Sequence, residues 1–282
     1  MSRISSIADR NSKRKARETA AVYPSVFSRF FDKTPEYERI YAIGDIHGEF
    51  DLFIDLLDKI NCDNKSFAAA QTVILLLGDL IDRGPKSRQV LQLLQQFHTK
   101  DSGLVVLLGN HEELLLESAR GNETAQRAWL RNGGRQTLES YGIAVEKFTR
   151  SDPFERASSL VSTLGGDTLA WLTSRPLTYR SGDYYFCHAG IRPGVELSKQ
   201  SKRDLLAIGS DFLSSDADHG AMIVHGHTEV ASVECHFNHI AIDTAAYRTG
   251  KLSALGLQGS RRWQISATRE KVERNTELLL QV

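Results

Sequence analysis

The chain is poor in cysteine, in net charge and in long apolar runs, and each shortage removes a class of function. Its three cysteines, Cys62, Cys187 and Cys235, are an odd number without Cys-x-x-Cys spacing, which argues against a disulfide framework and a thiolate zinc cluster. They read as reduced thiols. Thirty-five basic residues balance 35 acidic ones, so no net field gathers nucleic acid or an anionic membrane surface, and anion recognition has to be local to a site. No stretch approaches the roughly 18 apolar residues of a membrane helix, and the polar, basic start lacks the apolar segment of a secretory signal. The expectation is a cytoplasmic protein with neither membrane nor general nucleic acid among its partners.

What is present suffices for one sizeable core: 282 residues, 41% of them hydrophobic. Residues 1–20, with Arg3, Arg10, Lys13, Arg14, Lys15 and Arg17 among small polar residues, cannot bury enough surface to offset ordering and read as a disordered tail. In residues 21–36, Val22, Val26 and Phe30 recur at four-residue spacing beside Tyr23, Phe27 and Phe31. This predicts a short apolar helix docked on the body, with a protein-partner surface as the alternative. Residues 37–282 are expected to form a single domain. Short apolar runs at 40–43, 73–77 and 104–108 alternate with helical patterns at 50–60 and 90–97, a βαβαβ unit. Residues 113–180 read mainly as helices, interrupted by the turn Asn132-Gly133-Gly134. Further strands are expected at 184–188, 221–225, 240–243, 252–257 and 263–266, with Thr249-Gly250 as a hairpin turn. The fold class that follows is α/β, with two packed mixed sheets flanked by helices.

The polar clusters fall where these strands end, as sites in α/β proteins do. The first strand runs into Gly44-Asp45-Ile46-His47-Gly48, the second into Gly78-Asp79-Leu80-Ile81-Asp82-Arg83-Gly84, and the third into Gly109-Asn110-His111-Glu112. Later strands end in His188-Ala189-Gly190 and His225-Gly226-His227-Thr228. Asp, Asn and His without thiolate suit hard and borderline divalent metals. A single Asp-x-His-Gly is a common coincidence, whereas Gly-Asp-x-x-Asp-Arg-Gly puts two carboxylates and a guanidinium after an apolar strand and is hard to explain as a turn. His98, His219, His236 and His239 stand outside the clusters and read as surface or satisfied core histidines.

Gly-Asp-Ile-His-Gly, Gly-Asp-Leu-Ile-Asp-Arg-Gly and Gly-Asn-His-Glu, in this order and spacing, resemble the three signature motifs of the phosphoprotein phosphatase family. The segments 188–194, 225–228 and 242–251 resemble its bacterial serine/threonine branch, within the calcineurin-like metallophosphoesterases. The likeness runs from about residue 40 to 258. It implies the α/β/β/α sandwich of that family and two divalent metal ions, manganese first, with iron or zinc as alternatives. Asp45 and His47 then hold one ion, Asp79 bridges, and Asn110, His188 and His227 complete the second; His227 is preferred to His225 because the ligand follows the small residue, here Gly226. The paired ions activate the attacking water. His111 becomes the general acid with Asp82 as its partner, and Arg83, together with Asn110 and His111, meets the phosphate.

One departure stands out. Bacterial relatives carry a Trp and, two residues on, an Arg that reaches the phosphate; the matching stretch here has Ala207 and Gly209. Arg192 and Arg135 are the candidates to replace that guanidinium. The expected activity is metal-dependent hydrolysis of phosphate monoesters, with a serine/threonine or dual-specificity protein phosphatase first and a phosphorylated protein or small phosphate ester as substrate. A dinucleoside polyphosphate hydrolase is the alternative from the same chemistry. A weakly active phosphate-recognition scaffold is the alternative from another class.

Overall fold

A computed structural model describes residues 33–98 and 103–270. The expected basic tail 1–20, and residues 21–32 of the expected apolar helix, lie outside the described residues. Residues 33–36 are not helical; they run directly into the first strand.

The first sheet has the order β10-β9-β1-β2-β3, with β1 at Glu38–Ile43, β2 at Gln71–Leu76, β3 at Leu104–Val106, β9 at Lys251–Gln258 and β10 at Arg261–Thr268. β1, β2 and β3 are parallel neighbours, while β9 joins β1 antiparallel. Every residue of β1 is buried. That suits a central strand covered on both faces, and its two charged residues are accommodated by partners. Arg39 donates to Gln258 Oε1, the Asn64 side chain and the Ala68 carbonyl; Glu38 accepts from Tyr179 and Ser181. The connections between parallel strands are the helices α1, Phe50–Ser66, and α2, Ser87–Phe97. Their apolar stripes, such as Leu52, Phe53, Leu56 and Ile60 on α1, are buried in the main core.

The second sheet has the order β4-β5-β6-β8-β7, with β4 at Thr178–Ser181, β5 at Tyr184–Cys187, β6 at Met222–His225, β7 at Glu234–Cys235 and β8 at His239–Ala241. β5, β6 and β8 are parallel. The two sheets meet where their strands end: His188 Nδ1 donates to the Leu77 carbonyl at 3.0 Å, and Leu108 N–H to the Pro176 carbonyl at 2.9 Å. A Cβ on Gly44 would lie 2.6 Å from the Ile242 carbonyl oxygen, so glycine is what permits the chains to approach there. A third helix, α3 at Asn110–Ala119, follows β3, and short helices occupy 123–173.

Two local expectations are corrected. Thr249-Gly250 is not a hairpin turn: it closes the short helix Ala246–Thr249, with Gly250 at φ +67° as its left-handed cap. The β9–β10 hairpin turns instead at Gly259-Ser260, where Gln258 pairs with Arg261 and Gly259 supplies φ +53°. The strand expected at 240–243 ends at Ala241, because Asp243 turns its carboxylate onto its own loop and accepts from Ala245 N–H at 2.8 Å. β4 and the two-residue β7 carry too few alternating residues to stand out in sequence.

Candidate metal centre and acid pair

The loops at the ends of β1, β2, β3, β5 and β6 bring most of the expected residues together in two groups, and Asp45 belongs to neither of them. Ligand atoms of His47, Asp79 and His111 lie within 4.8 Å of one another, and so do those of Asp79, His188 and His227. Asp79 belongs to both groups. Its Oδ2 faces His47 Nε2 and His111 Nε2, each at 3.7 Å, while its Oδ1 faces His188 Nε2 at 3.4 Å, so one carboxylate presents an oxygen to each side. Asn110 Oδ1 lies 2.7 Å from His188 Nε2. Asp45 sits behind His227 and accepts from its backbone N–H at 3.2 and 3.1 Å.

Whether these residues fit metal ions is answered by the imidazoles. His47 and His188 each face a backbone carbonyl through Nδ1, Ile81 at 2.8 Å and Leu77 at 3.0 Å. A carbonyl only accepts, so Nδ1 carries the proton in both rings; on His47 this leaves Nε2 as the free lone pair, whereas on His188 burial opposes a charge but the Asp79 and Glu112 carboxylates outweigh it and push the imidazole up. For His47 that Nε2 is buried with no hydrogen-bond partner among the described residues. Burial pulls His47 down to about 3 and His227 to about 4, which keeps both rings neutral, the form that binds metal. Opposite them three carboxylates are buried together. Burial and repulsion from Asp243 and Asp79 push Asp45 well up, and burial pushes Asp243 up to about 6. Like charges crowded out of water are the condition a divalent cation relieves.

The second cluster surrounds Asp82. Its Oδ2 lies 2.7 Å from His111 Nδ1. Burial disfavours a charge on His111, but the Asp79 and Asp82 carboxylates outweigh it and hold the imidazole at about 9. A protonated His111 can therefore give up a proton from Nε2 near neutral pH. Arg83 Nη2 stands 3.3 Å from that Nε2, and the guanidinium lies over the Tyr247 ring at 4.7 Å.

The backbone here is unusual. His47, Asp79, Asp82, Arg83 and His227 all adopt positive φ, between +46° and +73°, and of the other non-glycine residues described only Ala245 does. Such conformations cost on the order of 1–3 kcal/mol each and persist where the surroundings over-determine them. The coincidence of strain with the metal-ligand and acid candidates marks the centre independently of residue type.

A family model for the calcineurin-like phosphoesterases matches residues 38–255. This chain is a calcineurin-like phosphoesterase. Among curated proteins it is 32% identical, over 159 residues, to a symmetrical bis(5'-nucleosyl)-tetraphosphatase of Neisseria gonorrhoeae strain NCCP11945, covering 56% of this chain and 46% of that one. A symmetrical bis(5'-nucleosyl)-tetraphosphatase of Vibrio campbellii is 29% identical over 170 residues, covering 60% and 51%. The chain thus spans about half the length of these relatives. Among solved structures, a cold-active protein-tyrosine phosphatase of a psychrophilic Shewanella superposes with a TM-score of 0.54 at 19% identity, over 84% of this chain and 83% of that one. This likeness is one of fold.

Within this calcineurin-like phosphoesterase the structure separates the two histidines of the last cluster. His227 stands beside Asp79 and His188, whereas His225 turns away and packs on Phe212 and His239, with ring centroids 5.2 and 5.3 Å apart. His219 and His239 pack on the same Phe212, and His236 stacks on His239 at 4.2 Å. His98 packs against Trp171 and Arg175. Of the replacement guanidiniums, Arg192 is paired with Asp204 at 2.6 Å and Asp211 at 3.7 Å, and Arg135 is exposed.

Four residues that support the site were not assigned roles from sequence. Glu112 is fully buried, and its carboxylate accepts backbone N–H groups of Asp79 and Gly109 on one oxygen and of Leu80 and Ile81 on the other, at 2.9 to 3.2 Å. It locks the loop carrying Asp79. Its place in Gly-Asn-His-Glu was the available signal. Asp82 is held by Trp129 Nε1, 3.0 Å from each carboxylate oxygen, and by the Thr137 hydroxyl at 2.6 Å, while its own N–H donates to Ser87 Oγ at 3.0 Å. Trp129 and Thr137 come from the helical segment between the motifs. The same segment bends at Asn132-Gly133-Gly134, where the Gly133 carbonyl accepts from Arg83 N–H at 3.1 Å. A Cβ on Gly133 would strike Arg83 at 2.6 Å, so this turn is shaped to fit against the guanidinium-bearing loop.

Proposed function

We propose that this chain is a metal-dependent phosphohydrolase that cleaves the phosphoanhydride chain of a dinucleoside polyphosphate. The similarity to two symmetrical bis(5'-nucleosyl)-tetraphosphatases, over 159 and 170 residues, carries the choice of substrate. Protein phosphatase activity, which the motifs alone placed first, becomes the second reading. His47, Asp79 and Asp45 would hold one ion, and Asp79, Asn110, His188 and His227 the other. Both sets suit manganese, iron or zinc, and manganese is the metal to supply first. When bound, they furnish an acidified water and polarise the phosphoryl oxygens.

The chain's own residues supply the rest. Arg83 offsets charge on the reacting phosphoryl, with Asn110 and His111 as further contacts. His111 gives its Nε2 proton to the departing oxygen, and Asp82, fixed by Trp129 and Thr137, holds the ring in the tautomer and orientation that this needs. The second reading draws on this same pair. An alkoxide is a poor leaving group and needs the proton more than a nucleoside diphosphate does, so a buried, fully buttressed acid also suits phosphoserine and phosphothreonine esters.

The test is turnover by metal-stripped protein before and after Mn²⁺ on diadenosine tetraphosphate and on a phosphothreonine peptide, with products separated and His111→Ala run alongside. Metal-dependent release of two ADP with the peptide untouched is the expected result. Phosphate release from the peptide alone transfers the assignment to the second reading. No turnover of either substrate with metal bound removes both.

A further inference from the structure

Arg83 is a two-ended group. While Nη2 faces His111 at 3.3 Å, Nη1 points outward to Glu229 Oε1 at 3.5 Å. Glu229 is the residue after His227-Thr228, and it binds more than Arg83. Its Oε1 accepts from the Tyr247 hydroxyl at 2.7 Å, and its Oε2 pairs closely with Arg248. The Tyr247 ring in turn lies edge-on to His47, 5.5 Å between centroids, and beneath the Arg83 guanidinium. One carboxylate therefore holds two arginines and a phenol at the rim of the candidate metal centre, and Arg248, 62% exposed, opens to solvent.

A carboxylate with guanidiniums on both oxygens stands where the oxygens of a phosphate could stand, since arginine forks match the two anions alike. The reacting phosphoryl belongs on the Nη2 side of Arg83, beside His111. The Glu229 position, on the Nη1 side, is one group further out. We propose that Arg83 and Arg248 form a subsite for a second phosphate, adjoining the one that reacts, with Glu229 as the internal anion that the incoming phosphate displaces. Arg248 is then a specificity-determining residue that favours polyphosphates over monoesters. This deepens the dinucleoside polyphosphate reading and rests on it for the identity of the substrate.

The test is calorimetric titration of metal-loaded protein with methylenediphosphonate, a non-hydrolysable diphosphate, and with methylphosphonate, at fixed free Mn²⁺. Wild type should prefer the diphosphonate, and Arg248→Ala should weaken it about tenfold more than it weakens the monophosphonate, as loss of one charge-assisted contact implies. Arg248→Lys should recover part of that preference. Glu229→Gln, which removes the competing charge and keeps the shape, should tighten the diphosphonate. An unchanged ratio of the two affinities in Arg248→Ala, whether both fall or neither does, overturns the subsite. Failure of the substrate reading looks different. Wild type would then leave diadenosine tetraphosphate uncleaved while the Arg248-dependent preference for diphosphonate persists.

Discussion

The role given to Glu112 can be tested by one isosteric change. Each carboxylate oxygen accepts two backbone N–H groups, Asp79 and Gly109 on Oε2, Leu80 and Ile81 on Oε1. Glu112→Gln keeps the volume but leaves a single acceptor, and its amide NH₂ then faces two N–H donors that have no water to turn to. Each buried donor left unpaired costs about 1–3 kcal/mol, so the variant should lose about 2–6 kcal/mol. For a domain of this size, a loss of about 4 kcal/mol lowers Tm by roughly 8–16 °C. Because two of those donors flank the Asp79 side chain, its position relaxes as well, and metal affinity should fall about 10–100-fold, the usual range for a group that orients a ligand. Urea unfolding of the metal-free protein isolates the first effect, and calorimetric Mn²⁺ titration reads the second. A variant within about 0.5 kcal/mol of wild type, with unchanged Mn²⁺ affinity, would refute the reasoning.

Asp79→Asn should strip metal from both sides, lowering turnover more than about a thousandfold, with metal content read by mass spectrometry. His98→Ala, against Trp171 and Arg175, should stay within about twofold of wild type; equal losses in the two variants would discredit the ligand set. His225 is buried and held at about 3, chiefly by burial, against about 6.5 when unfolded. The unfolded chain therefore takes up that proton first. Its contribution is complete above about pH 6.5 and is lost as the pH falls toward about 3, at up to about 1.4 kcal/mol per unit. His225→Phe should flatten the pH dependence of urea unfolding by that slope, and an unaltered slope would count against a neutral buried ring. Gly209 has nothing among the described residues within 4 Å of an added Cβ, so Gly209→Arg meets no steric block at that atom and should raise turnover of an aryl phosphate at constant metal content. If it does not, another cation already serves the reacting phosphoryl.

Much of the site is written in short stretches of sequence. Asp45, His47, Asp79, Asn110, His111 and His188 each follow an apolar run, and the rule that strand ends gather chemistry suffices to bring them to one place. The alternation of runs likewise determined the parallel β1-β2-β3 unit and its crossing helices, because strand and helix periods differ along the chain itself. What only the tertiary structure decided involves partners far apart in sequence. Trp129 and Thr137 reach Asp82 from 47 and 55 residues away, and Asp45 accepts from His227 across 182. No local pattern encodes such contacts. The choice between His225 and His227 could be argued from motif likeness, but which ring faces Asp79 and which faces Phe212 depends on the twist of the chain at Gly226 and on the sheet beneath it. Thr249-Gly250 shows the same division: its residue types allow a hairpin turn or a helix cap, and only packing chose the cap. The pairing of Arg83, Glu229 and Arg248 is likewise invisible until two loops and the short helix Ala246–Thr249 meet, because ion pairs follow proximity in space and the sequence specifies only which charges are available.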